Sequence, residues 1–245
     1  MTAPDVTGAA STEAAPTGLA PTGQTPTGQA ATGQAATGQA PTGLFITLEG
    51  GDGSGKSTQA RLLAEWLGEQ GRTVLRTREP GGTVVGVEIR EIVLHHTGEV
   101  SPRAEALLYA ADRAQHIATA VRPALARGEV VVQDRYLDSS VAYQGAGRVL
   151  GAAEIRDLSL WAAEGLLPEL TILLDLDETA ARGRLDAANK RFDRLEAEKG
   201  DFHRRVRAAF LDLARAEPDR FLVVDAARPV DDIAALIRAR VAPLL

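Results

Sequence analysis

Five short apolar runs punctuate the chain beyond its first forty residues or so, at 44–49, 73–77, 130–134, 170–175 and 221–224. Most are continuous rather than alternating, as expected for parallel strands covered on both faces. Between them the pattern changes to helical spacing. Segment 55–70 carries Leu62, Leu63, Trp66 and Leu67 at helical intervals and stops at Gly71. Segment 101–127 opens with Ser101 as N-cap and Pro102 at the first helical position. Further helices are predicted over 84–96, 152–164, 178–188, 196–216 and 230–240. The strand–helix alternation predicts an α/β fold, a doubly wound five-stranded parallel sheet flanked by helices. Ligands of such sheets bind at the carboxyl ends of the strands.

Residues 1–43 carry none of this patterning. From Pro16 they repeat in pentapeptides (PTGLA, PTGQT, PTGQA, ATGQA), without an aromatic residue and with only Asp5 and Glu13 charged. Such a segment cannot bury enough apolar surface to offset its ordering entropy. The expectation is a low-complexity tail without catalytic function, or a tether for a partner, followed by one domain over 44–245.

Charge narrows the function. The chain has 27 Lys and Arg against 33 Asp and Glu, a net charge of −6. That balance argues against a broad nucleic-acid surface, so phosphate chemistry must come from local basic clusters. The lack of cysteine excludes disulfides, cysteine-based zinc sites and thiol nucleophiles. With no secretory pattern and no apolar run of ~18 residues, a cytoplasmic protein without a membrane span is expected.

The strongest local signal is Gly50-Gly51-Asp52-Gly53-Ser54-Gly55-Lys56-Ser57, a full G-x-x-x-x-G-K-S/T match between an apolar strand and an amphipathic helix. Glycines let successive backbone N–H groups turn inward toward phosphate oxygens, and the helix N-terminus adds partial positive charge. Lys56 can reach the β- and γ-phosphates, and the Ser57 hydroxyl, followed by Thr58, can ligate Mg²⁺. A GTPase switch is excluded. The only Asn-Lys pair, Asn189-Lys190, does not continue as a base-reading motif, and D-x-x-G occurs only at 5–8 and inside the phosphate loop.

A second set of residues suits an acceptor. Thr77-Arg78-Glu79-Pro80-Gly81-Gly82-Thr83 follows the second strand, so Arg78 stands at a strand end where it could meet a phosphate or make an ordinary ion pair. In the next helix Tyr109, Arg113, His116 and Ala120 share one stripe, and Leu108, Ala111 and Ala118 a more apolar one. Tyr109 beside Arg113 can stack on a base and donate to its carbonyl edge. Spacing alone favours the plainer alternative, an aromatic at the core rim with a solvated Arg. The third strand ends in Asp134-Arg135-Tyr136, where Asp134 suits Mg²⁺ or its waters and Arg135 an acceptor phosphate. The polar stretch 138–145 can hydrogen-bond a sugar or base. Arg182, Arg184, Lys190, Arg191 and Arg194 form a basic segment whose middle, 186–192, reads as a mobile loop able to close over a transferring phosphoryl group.

From about residue 44 to the end, the chain resembles the thymidylate kinases. TREPGGT at 77–83, Asp134-Arg135-Tyr136 and SSVAYQG at 139–145 carry the likeness, each in order after the phosphate loop. The resemblance implies phosphoryl transfer from ATP to dTMP with Mg²⁺ as the only metal, and a homodimer. It puts Tyr109 against thymine, Arg113 on its carbonyl, and Arg78 and Arg135 on the acceptor phosphate. Ser140 and Gln144 fall in the base-reading stretch, and Tyr143 where deoxyribose is preferred. A phosphate loop without arginine at Asp52-Gly53-Ser54 resembles the bacterial form, whose catalytic charge comes from the lid. Arg191 and Lys190 are the first candidates there, with Arg184 behind them, beside Lys56, Arg135 and Asp52 as catalytic residues. A kinase for another nucleoside monophosphate or a deoxynucleoside is the nearest alternative, and a P-loop switch or ATPase module a remote one.

Overall fold

The structure, a computed structural model, describes residues 43–148, 150–187, 194, 195, 198 and 200–245. Strands β1 (Leu44–Glu49), β2 (Val74–Arg78), β3 (Val130–Asp134), β4 (Leu170–Asp175) and β5 (Phe221–Asp225) form one sheet. It is wholly parallel in the order β2-β3-β1-β4-β5, as the alternation predicts. The helices are α1 (Lys56–Glu69), α2 (Val84–His95), α3 (Pro102–His116), α4 (Arg122–Ala126), α5 (Leu137–Ser140), α6 (Ala152–Ala162), α7 (Glu178–Ala187), α8 (Gly200–Ala216) and α9 (Val230–Val241). The predicted start of α8 at 196 falls partly outside the described residues.

Alternation along β1 distributes the core. Leu44, Ile46 and Leu48 face α1 and α9, where they meet Leu63, Leu67, Ile233 and Ile237 in one apolar cluster. Phe45 faces the opposite side with Val131, Ile117, Tyr136 and Leu137. Thr47 and Glu49 share the parity of Phe45, which carries a carboxylate, fully buried, to the end of the central strand.

Two regions depart from the sequence expectation. The helix predicted over 101–127 is continuous but changes winding: a π-helical stretch, Ile117–Val121, joins α3 to α4. Pro123 lacks an N–H, so the α ladder cannot run through it unbroken, and the wider winding upstream absorbs the gap. The stretch 138–145 is also helical, as α5 followed by a π-helical Val141–Gly147. Its serines and glycines have weak helix propensity. Burial of Leu137, Val141, Ala142 and Tyr143 supplies what propensity does not.

Candidate active site

β1 and α1 hold the phosphate loop between them. Gly50 has φ 133° and a Cβ there would lie 2.4 Å from the Leu174 carbonyl, so only glycine fits. Lys56 is buried, and its Nζ donates to the carbonyls of Gly50 (3.0 Å) and Gly51 (2.7 Å). Burial, and then Arg135 beside it, push its ammonium down to about 8. Ser57 Oγ donates to Asp134 Oδ2 at 2.7 Å across the strand ends. Hydroxyl and carboxylate oxygens side by side are the donor chemistry a hard divalent cation takes. Among the described residues no cluster of three or more Asp, Glu or His could hold a metal ion. A cation at Ser57 and Asp134 would therefore draw the rest of its shell from phosphate oxygens and water.

Arg135 follows β3 in a left-handed conformation, φ 67°, which turns its side chain back over the loop. It is ion-paired with Asp52, donates to the Gly50 carbonyl and Ser139 Oγ (3.1 Å each), and lies 5.0 Å from the Tyr143 ring centroid. Tyr143 donates its hydroxyl to Asp52 Oδ2 at 3.1 Å. Burial opposes ionisation of Asp52, but Arg135 and Lys56 outweigh it and hold the carboxyl well below its ordinary range. Glu49, beneath them, accepts from Tyr136 N (2.7 Å) and Ser139 Oγ (2.6 Å). Burial and the nearby Asp138 raise it well above the usual carboxylate range.

The acceptor end is built from α3, and here the plainer sequence alternative is overturned. Ala111 and Ala118 of the expected apolar stripe are exposed, whereas Glu105, Tyr109, Asp112, Arg113 and His116 are buried. Arg113 is 1 % exposed, not solvated. Its Nη2 lies 2.9 Å from Glu79 Oε2 and donates to Ser140 Oγ (3.2 Å), while Nη1 donates to Ser159 Oγ (3.1 Å). The Glu79 contact is an ion pair rather than an aligned hydrogen bond, and Arg113 Nε is a buried donor with no partner among the described residues. The other Glu79 oxygen meets His116 Nδ1 at 3.0 Å, whose Nε2 meets Thr77 Oγ1 at 2.7 Å. A Cβ on Gly82 would sit 2.5 Å from that imidazole Nε2, which is why glycine follows Gly81 in the turn after the cis Glu79–Pro80 bond.

One cleft of about 420 Å³ joins both ends. Lys56, Ser57, Thr58 and Asp134 line it with Arg78, Tyr109, Arg113, Arg135, Ser140, Tyr143, Gln144 and Arg184. These residues, singled out from sequence, thus meet in space. Arg184 donates to the Ala226 carbonyl (2.8 Å) and approaches the Gly53 carbonyl at 3.5 Å. Lys190 and Arg191 lie outside the described residues. Sequence reasoning did not single out Arg90, which lines the cleft and donates to the Pro80 carbonyl at 2.9 Å, nor Glu49, Glu79 and Ser159. Glu79 stood inside the TREPGGT piece without an assigned task. Glu49 had one available signal, an acid closing an apolar strand next to the loop. A second cavity of about 450 Å³ lies on the far side of Asp52 between β4, α7 and α8, away from Lys56 and Asp134.

The family model described as thymidylate kinase matches residues 48–237, which include the loop, both strand-end arginines and α3. The chain belongs to the thymidylate kinase family. A thymidylate kinase of Leifsonia xyli subsp. xyli is 76 % identical over 197 residues, covering 80 % of this chain and 93 % of that protein. One from Bifidobacterium longum subsp. infantis is 53 % identical, covering 82 % and 87 %. The crystal structure of thymidylate kinase from Ehrlichia chaffeensis superposes with a TM-score of 0.67 at 31 % identity, covering 82 % of this chain and 99 % of that one. The family's fold is the parallel sheet described above.

Proposed function

We propose that this chain transfers the γ-phosphoryl group of ATP to dTMP, giving dTDP and ADP. Family membership supports the reaction, and the observation that carries it on this chain is the single cleft shared by Lys56 and Arg113. The two substrates then lie end to end, with the reacting phosphates meeting near Lys56, Arg135 and Asp134.

The acceptor phosphate of dTMP is already anionic near neutral pH, so no strong general base is required. Catalysis reduces to positioning and charge neutralisation. In this reading the backbone N–H groups of residues 50–58 cradle the ATP phosphates and Lys56 exchanges its loop carbonyls for phosphate oxygens. Arg78 and Arg135 hold the acceptor phosphate, and Asp52 keeps Arg135 and Tyr143 in place. Tyr109 stacks on thymine, Arg113 donates to a ring carbonyl, Ser140 and Gln144 complete the base contacts, and Tyr143 closes against deoxyribose. Ser57 and Asp134 would hold Mg²⁺, which when bound offsets charge on the transferring phosphates. Arg184, with Lys190 and Arg191, supplies charge from the lid side.

Residues 44–245 form the catalytic domain and the repetitive 1–43 a tail outside the matched region. Among the described residues no helix is long and apolar enough to cross a membrane, which is consistent with a cytoplasmic location. We infer a homodimer from the family likeness. Large apolar side chains exposed on α2, α3 and α6 (Val84 at 81 %, Leu107 at 58 %, Trp161 at 79 %) support it. Sedimentation at twice the chain mass is expected.

A coupled ADP-release assay across dTMP, dUMP, AMP, GMP and CMP tests the reading. Fastest turnover on dTMP is expected. No turnover on dTMP beside robust turnover on another acceptor would refute it, and ADP release without any acceptor would support an ATPase module instead.

A further inference from the structure

Glu105 lies in the first turn of α3, one turn before Tyr109, and its side chain is wholly buried. Three side chains converge on its two oxygens. Oε1 accepts from Gln144 Nε2 at 2.8 Å and from Arg148 Nε at 3.4 Å. Oε2 accepts from Arg148 Nη2 at 3.3 Å and is ion-paired with Arg194. Both arginines are held from their far sides as well. Arg148 pairs with Glu198 and lies 5.1 Å from the Phe202 ring centroid, while Arg194 Nε donates to the Val93 carbonyl at 2.9 Å. A buried carboxylate is tolerated when paired in this way, and the two guanidinium groups leave Glu105 little freedom to rotate.

That arrangement decides which end of the Gln144 amide faces Glu105. A carboxylate accepts hydrogen bonds and does not donate them, so the amide NH₂ turns to it and the carbonyl Oε1 turns the other way. Gln144 lines the cleft with Tyr109, Arg113 and Ser140. Gln144 meets Glu105 through Nε2, which leaves its Oε1 for a ligand, while Arg113, which lines the same cleft, retains an unpartnered Nε donor. The base end of the cleft is therefore lined by residues that bring both a donor, on Arg113, and an acceptor, on Gln144.

We propose that Glu105 is a positioning residue that locks the Gln144 amide with its acceptor toward the bound base, so that the site selects a pyrimidine bearing an N3–H. The inference rests on the dTMP reading of the same cleft. Thymine and uracil offer an N–H at ring position 3. Cytosine offers a lone pair there, which would face the Gln144 oxygen and leave two acceptors opposed. Sites built to hydrogen-bond a substrate reject the analogue that leaves their polar groups unpaired. Glu105 itself touches none of the reacting atoms.

Glu105→Gln is the isosteric test. Arg148 and Arg194 are donors and take the oxygen of the new amide, so its NH₂ faces Gln144 and turns that amide over. In the full-length protein the KM for dTMP rises about tenfold, with kcat and the KM for ATP nearly unchanged. Preference for dTMP over dCMP, read from kcat/KM or from competitive inhibition by dCMP, falls about tenfold or more, whereas preference for dTMP over dUMP holds. Gln144→Leu leaves Glu105 with both arginines, guards against a folding failure of the first variant, and produces the same fall toward dCMP. A dTMP-to-dCMP preference within about twofold of wild type in either folded variant would overturn the proposal. So would an equal loss on every acceptor and on ATP, the mark of a merely structural carboxylate. Wild-type protein inert toward dTMP but active on another acceptor would strike the dTMP reading instead, and is seen before any variant is made.

Discussion

The two ends of the cleft are made by different means. The phosphate end is mostly backbone: one contiguous loop, glycines in conformations other residues avoid, and a helix N-terminus, with Lys56 as the inserted charge. The acceptor end is mostly side chain. Arg113 is held by Glu79, Ser140 and Ser159, which come from three separate segments. Charge at the phosphate end is kept at a cost to the free protein, as the depressed Lys56 shows. Charge at the acceptor end is paired within the fold. The ligand-free protein therefore holds a desolvated, depressed ammonium where polyanionic phosphates bind, and paired, oriented charge where a neutral base is read.

The largest effect expected from this contrast is on catalysis at the phosphate end. Lys56→Ala lowers kcat by about a thousandfold or more, since it removes charge from the transferring phosphates. Its circular dichroism and unfolding midpoint stay at wild-type values, because Gly50 and Asp52 keep Arg135 and the Gly51 carbonyl keeps the Ser54 N–H. Turnover and unfolding measured on one preparation check both halves.

Arg113→Ala comes next and behaves differently. The KM for dTMP rises about a hundredfold while the KM for ATP stays put, in line with loss of a charged hydrogen bond to a base carbonyl. An unchanged dTMP titration would remove Arg113 from the site. Removing one member of a buried ion pair also costs about 3 kcal/mol of stability, because Glu79 is left buried with only His116.

A smaller effect, about tenfold per pH unit, belongs to Lys56 itself. Its folded-state value, lowered from 10.5 to about 8, means the ammonium is half lost near pH 8 and progressively lost above it. In the free enzyme kcat/KM for ATP therefore falls as pH rises through about 8. Bound phosphates favour the ammonium, so kcat falls only at higher pH. A pH profile of both constants checks the order of the two limbs, and Lys56→Arg moves the limb out of range.

The smallest is Ser159→Ala. It deletes one acceptor from Arg113 Nη1 and raises the KM for dTMP several-fold, at a stability cost of about 1 kcal/mol.

The same contrast explains what could be read from the chain. The phosphate loop is contiguous, so its glycines, lysine and serine announce themselves, and the apolar strands delimit the sheet to within a residue at each end. The acceptor end is assembled over long sequence distances. Glu105, Asp112, Arg113 and His116 look like a solvated face because their partners, from Glu79 to Arg194, lie far away in the sequence. Spacing therefore favoured a solvated Arg113, whereas the structure buries it in the wall of the cleft. Residues 137–147 carry weak helix formers whose helicity is imposed by burial, which no local signal reports.

The most direct test sets Arg113→Ala beside Lys56→Ala in chemical unfolding, in one buffer without nucleotide. The account predicts a loss of about 3 kcal/mol for Arg113→Ala and none for Lys56→Ala. Equal losses in the two, or an undiminished stability in Arg113→Ala, would contradict it.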